Sequence, residues 1–255
     1  IRPYIAPPMA TAAELPDLLA LDDLIAAGPV ALFLDFDGTL VDIAATPDTI
    51  DVPLGLGADL ARLSSRLEGR LALVSGRGIG VLERHLGPMG LACAGSHGAA
   101  RRSRDGLWLG RRPDVLHPGV IEEVSAFADA SGARYEPKEH GAALHSRHAP
   151  HLEHQCGRFL DGLAARHGLA VKRGKFVAEL VRRGADKGAA VRAFMTEPPF
   201  RGARPVFIGD DVTDEDGFAP VIEQAGIAIT VGPRDSRLAT FGLADPSAVR
   251  EWLGL

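Results

Sequence analysis

The chain has 255 residues, 46% of them hydrophobic and 24% charged, which is the make-up of an ordinary globular protein large enough for a core and a second, smaller unit. Its 33 acidic residues outnumber 28 basic ones, and the formal charge of -5 excludes a nucleic-acid binder that works by general phosphate neutralisation. Two cysteines, Cys93 and Cys156, supply neither a disulfide framework nor a Cys-x-x-Cys metal or redox motif.

Residues 1–27 are expected to form an N-terminal extension. Glu14, Asp17, Asp22 and Asp23 interrupt its apolar residues, so neither a signal peptide nor a membrane span is expected and the protein is assigned to the cytoplasm. The first strand is the apolar run Val30–Leu34, followed by a Leu-rich helix over about 54–67 and a second strand, Leu71–Val74, which runs into Ser75-Gly76-Arg77. A third apolar stretch, 91–94, leads into Gly95-Ser96-His97-Gly98. Later, 205–208 and Ile227–Val231 repeat the pattern. Strands apolar along their whole length are buried on both faces and imply a parallel sheet covered by helices.

Between about 109 and 184 the texture changes. Helices over about 118–130 and 150–167 each precede two strand-like runs, 134–136 and 142–147, then 170–172 and 176–181. This αββαββ order predicts a small antiparallel sheet backed by two helices. The expected fold is α/β: a parallel-sheet core from residues 28–108 and 185–255, with residues 109–184 inserted as an α+β cap.

The chemistry-bearing residues fall at strand ends. Asp35 and Asp37 terminate the first strand and lead into Gly38-Thr39, where an α/β sheet usually holds its ligand. One carboxylate can attack an electrophile, and a second beside it can exchange a proton with the leaving oxygen or with water. The bland alternative is a capped turn with Asp37 as its Asx residue. Asp210, Asp211, Asp214, Glu215 and Asp216 follow a late strand, a density that invites Mg²⁺, a hard cation that prefers oxygen ligands; an acidic helix N-terminus is the alternative. Ser75 opens a helix after the second strand, where a hydroxyl and free amides can meet phosphate. Lys187 begins a helix near the acidic segment. Gly76-Arg77-Gly78-Ile79-Gly80 fails the dinucleotide fingerprint, because Val81 stands at the third glycine position. His148, His151 and His154 have helical spacing but lack a metal-site partner pattern, and a solvated face is expected there.

In this order the motifs resemble those of the haloacid dehalogenase superfamily of phosphotransferases. The resemblance implies a nucleophile at Asp35, a general acid/base at Asp37, phosphoryl contacts from Ser75 and Lys187, and Mg²⁺ held by Asp35, the Asp37 carbonyl and Asp210, with Asp214 close by. Gly38, Thr39, Gly76 and Arg77 complete the phosphate-binding set it implies. Gly174-Lys175-Phe176-Val177-Ala178-Glu179, together with Lys138 and His145-Ser146-Arg147, further resembles the trehalose-6-phosphate phosphatases. His145-Ser146-Arg147 replaces that family's usual His-Tyr-Arg, and Ser96-His97-Gly98 stands where Glu-Asn-Gly is often found. The substrate-binding set implied is Lys138, His145, Arg147, Lys175, Glu179 and His97. Lys175 and Glu179 are four apart, so in a single strand they would share one face.

The expected protein is a Mg²⁺-dependent phosphomonoesterase that hydrolyses trehalose 6-phosphate through an aspartyl-phosphate. The nearest alternative is the same chemistry on another sugar phosphate, such as a sucrose or hexose phosphate. A catalytically silent sugar-phosphate sensor is the rival from a different class, and the presence of Asp35, Asp37 and Asp210 speaks against it. The expected partner is a small phosphorylated disaccharide, with no nucleic acid, no membrane and a monomeric chain.

Overall fold

A computed structural model describes residues 15–16, 18–44, 49–88, 90–174 and 176–255. The chain opens with α1 (Leu21–Ala27), β1 (Val30–Leu34), α2 (Leu56–Arg66), β2 (Leu71–Val74), α3 (Ile79–Leu86), β3 (Ala92–Gly95) and β4 (Ala100–Arg102). It continues through α4 (Pro118–Ser131), β5 (Arg134–Pro137), β6 (Ala142–His145), α5 (Glu153–His167), β7 (Leu169–Gly174) and β8 (Val177–Arg182). It closes with α6 (Lys187–Met195), β9 (Arg204–Gly209), α7 (Asp214–Glu223), β10 (Ile227–Val231), β11 (Phe241–Leu243) and α8 (Pro246–Leu253).

Among the described residues the first and third runs build one sheet in the order β11-β10-β9-β1-β2-β3-β4, parallel throughout except that β4 runs antiparallel to β3. Alternation along each strand sends residues to two separate apolar layers. Val30, Leu32 and Leu34 pack with α1, α2, α3 and α8 on one face, whereas Ala31 and Phe33 pack with α6 and α7 on the other. Both faces are covered, which is why these strands are apolar at every position.

The topology also locates a crevice. From β1 the chain winds through β2 to β3 on one side, and the later strands add β9 directly against the other side of β1. The carboxyl ends of β1 and β9 therefore flank the point where strand order reverses, the usual ligand position of an open α/β sheet.

The middle run forms its own antiparallel sheet, in the order β5-β6-β8-β7. Ala142, Leu144, Ala178 and Leu180 send their side chains to α4 and α5, into a third apolar cluster with Val120, Val124, Leu160 and Leu163. The register sets Glu136 opposite Ala143, Ala143 opposite Glu179, and Glu179 opposite Lys172, so Glu136, Glu179 and Lys172 share the other, polar face.

The expected αββαββ order is thus present, and elements 54–67, 91–94, 118–130 and 170–172 differ from the observed ones by at most two residues at either end. The helix expected over 150–167 begins with a 3-10 turn, Pro150–Leu152, before α5. β8, the strand that carries Glu179, starts at Val177, two residues after Lys175, which was expected to share a face with Glu179. Lys175 itself lies outside the described residues. Among the described residues no helix is long and apolar enough to cross a membrane.

Candidate active site

Asp35 follows β1 and is fixed there because its amide donates to Ile208 O on β9 at 3.0 Å. Lys187, the first residue of α6, points its ammonium between two acids, 2.9 Å from Asp35 Oδ1 and 2.6 Å from Asp214 Oδ1. All three side chains are buried. Burial opposes the charge on Lys187, yet Asp214 and Asp35 outweigh it and hold the amine above the ordinary lysine range. Burial pushes the Asp35 carboxyl well above the usual carboxylate range, with Lys187 opposing and Asp214 and Asp210 adding to it.

Asp210, just past β9, completes the acidic group, for Asp35, Asp210 and Asp214 each offer an oxygen within 4.8 Å of the others. Burial, followed by repulsion from Asp214, pushes the Asp210 carboxyl up to about 7. Carboxylates so crowded bind a proton or a cation to relieve their repulsion, and oxygen donors in this number suit a hard divalent ion. The neighbouring backbone leaves room for the acids: Gly38 has φ 76°, and a methyl group there would overlap the Asp210 carboxylate. Both oxygens of Asp214 are already engaged, Oδ1 by Lys187 and Oδ2 by the Asp211 amide at 2.9 Å. Asp214 is therefore placed to hold Lys187, and Asp35 and Asp210 have the less committed oxygens.

The Asp37 side chain has a different partner from that of Asp35. Arg77 grips it with Nε to Oδ2 and Nη2 to Oδ1, both at 2.6 Å. This bidentate fork is the strongest geometry available to an arginine and a carboxylate. Asp35 and Asp37 thus have different partners, Lys187 and Arg77, and Phe36, between them in sequence, is fully buried with the Arg77 guanidinium 5.9 Å from its ring centroid. Ser75 lies in the turn after β2, where its Oγ accepts from the Arg77 amide at 3.1 Å. Gly38 and Thr39 spend their amides inside their own turn, on Val41 O and Phe36 O, while Thr39 Oγ1 reaches Asp210 Oδ1 at 3.4 Å. A cavity of about 440 Å³ opens beside Gly38 and Asp210, lined also by Asp42, Arg234 and Asp245.

The polar face of the second sheet turns towards these loops. His97 Nε2 donates to Glu179 Oε2 across 3.1 Å, and Lys172 Nζ lies 3.1 Å from Asp216 on α7. A methyl group on Gly78, in the turn before α3, would lie 2.7 Å from Glu139 Oε2 in the β5–β6 loop. On the same face Glu136 takes Lys138 Nζ at 2.8 Å and His145 Nε2 at 2.6 Å. Burial alone would raise the Glu136 carboxyl, but His145 and Lys138 bring it down to about 2. Arg147 is exposed in the turn after β6.

Three residues that sequence reasoning missed help to build the site. Glu136 lies two residues before Lys138, a period-2 signal that could have found it. Glu139 carried no such signal. Arg234, beyond β10, donates to Asp210 O at 2.9 Å, Asp211 O at 3.1 Å and Glu215 Oε1 at 3.1 Å, and ties down the acidic loop. His148, His151 and His154 are exposed, and they do not share one helix.

Asp35, just after β1, and Asp214, at the start of α7, close on the buried Lys187 with Asp210 beside them, an arrangement that fits the haloacid dehalogenase type of phosphatase that the motifs resemble. Residues 33–246 match the family model described as trehalose-phosphatase. A probable trehalose-phosphate phosphatase of Sinorhizobium fredii is 41% identical over 206 residues, which cover 80% of this chain and 78% of that protein. The trehalose-6-phosphate phosphatase of Escherichia coli is 38% identical over 230 residues, covering 88% and 85%. Among solved structures, a trehalose-6-phosphate phosphatase related protein superposes with a TM-score of 0.68 at 26% identity, over 88% of this chain and 95% of its own. The chain belongs to the trehalose-phosphatase family.

Proposed function

We propose that the protein hydrolyses trehalose 6-phosphate to trehalose and phosphate, with Asp35 as nucleophile. The observation that carries this reading is the Asp35–Lys187–Asp214 chain of contacts, a carboxylate held buried at the strand-order reversal by a fixed cation. Asp35 attacks phosphorus in line with the departing sugar oxygen, the P–O bond to the sugar breaks, and an aspartyl-phosphate forms. Asp37, released by Arg77 as that guanidinium turns to the incoming phosphate, gives a proton to the sugar oxygen. It then takes one from the water that hydrolyses the aspartyl-phosphate. Lys187 neutralises charge that spreads over the phosphoryl oxygens. Asp35, Asp210 and the Asp37 carbonyl would hold Mg²⁺, which supplies further neutralisation of that charge when bound. The inserted unit, residues 109–184, acts as the cap: Glu136, Lys138, His145, Glu179 and Lys175 read the sugar while closure excludes water.

Phosphate release should be measured with trehalose, sucrose and hexose phosphates in Mg²⁺ and again in chelator. Trehalose 6-phosphate is expected to be preferred, and chelation to stop the reaction. Preference for a monosaccharide phosphate would overturn the substrate, and appreciable turnover by Asp35→Asn would overturn the nucleophile.

A further inference from the structure

The turn after β3 holds two non-glycine residues in the left-handed region, Ser96 at φ 50° and His97 at φ 57°. Such backbone strain persists only where the surroundings over-determine it, and it gathers at functional sites. His97 is held firmly. Its amide donates to Ser75 O at 3.0 Å, and its ring lies so close to Gly76 that a methyl group there would meet Cε1 at 2.7 Å. From this seat against the phosphate loop, Nε2 crosses to Glu179 on β8, while Nδ1 is buried without a hydrogen-bond partner among the described residues. Both side chains of the pair are largely buried, at 12% and 14% exposure, whereas Asp216 in its cross-unit ion pair with Lys172 is 48% exposed. The His97–Glu179 bond is therefore better shielded than the Lys172–Asp216 pair, and it starts beside the residues expected to touch phosphate.

We propose that His97 is a positioning residue for substrate selection: it holds Glu179 at a fixed distance from the phosphate loop, so that sugar recognition operates only on a ligand whose phosphate is correctly seated. The inference rests on the reading that the inserted unit recognises a phosphorylated sugar. A free glutamate samples several rotamers, and ordering it costs binding free energy; one already fixed by His97 avoids that cost. An ester without the sugar gains nothing from the arrangement, so the link raises discrimination between substrates.

The test uses His97→Asn, because asparagine tolerates the left-handed region but is too short to reach Glu179. Kinetic constants are compared for trehalose 6-phosphate and p-nitrophenyl phosphate, with His97→Gln as the variant that restores reach. The ratio of the two kcat/KM values should fall about tenfold in His97→Asn, mainly through KM for the sugar phosphate, as expected for a lost hydrogen bond to a charged group. His97→Gln should recover part of it. In a background of Glu179→Ala, His97→Asn should lower the ratio no further. Equal loss on both esters, or effects that multiply in the double variant, would overturn the proposal. If circular dichroism shows that His97→Asn does not fold, the same cycle is closed with His97→Gly, which also accepts the left-handed region and cannot reach Glu179. A protein that prefers another sugar phosphate refutes the substrate reading instead, and the cycle read on that ester then decides on His97.

Discussion

Replacing Lys187 by Met removes the ammonium and keeps most of the side-chain volume, so it isolates the charge. Lys187 is 2% exposed and touches Asp35 and Asp214, both buried. Without it, two carboxylates remain in a dry site with no cation. Breaking a buried pair from one side costs about 3–5 kcal/mol, because the charge left behind is uncompensated. For a chain of this size that loss corresponds to a melting temperature lower by about 6–20 °C. Thermal unfolding at neutral pH, followed by circular dichroism, measures it. The deficit should narrow as pH falls, since protonation removes the stranded charge, and Asp214→Asn in the same chain should recover part of the loss. A drop of less than about 1 kcal/mol, unchanged between pH 5 and 8, would show that the Lys187 charge does not hold this site together.

Glu136→Gln tests the charged group on the cap. The folded protein lowers this carboxyl from its ordinary value of 4.5 to about 2, so its contribution is complete above about 4.5 and is lost as pH falls towards 2. The stability gap between the two forms, read by urea unfolding, should be constant near neutrality and close in that acid window. Gly38→Ala should fold less stably and lose phosphatase activity by at least about tenfold, since the methyl group meets Asp210 and φ 76° is unfavourable for alanine. Mg²⁺ affinity, followed by the thermal shift it produces, should weaken as pH drops below about 7. Protons and the cation then compete for Asp210, whose carboxyl is pushed up to about that value. Equal affinity at pH 6 and pH 8 would refute that competition.

The parts of this protein legible in its sequence are those governed by local rules. An apolar run such as Val30–Leu34 can satisfy itself only between two covering layers, so the sheet and its strands could be read directly. Asp35, Ser75 and Asp210 were legible for a related reason, since a polar residue that ends a buried strand has few structural uses. The short edge strands β4 and β11 and the helices α1 and α8 were not, because their signals are brief and their stability comes from packing against the sheet.

What the sequence could not contain was direction and pairing. Asp35 and Asp37 are two residues apart and looked like one pair, yet one meets Lys187 from residue 187 and the other meets Arg77 from residue 77. Those partners come from the start of α6 and from the turn after β2, which only tertiary packing brings to the carboxyl end of β1. The same holds for His97, in the turn after β3, and Glu179, 82 positions further on and on β8 of the second sheet. Residue type and spacing fix which groups can do chemistry; the reversal of strand order and the facing of two sheets decide which of them meet, because side-chain contacts at such separation are set by tertiary packing alone.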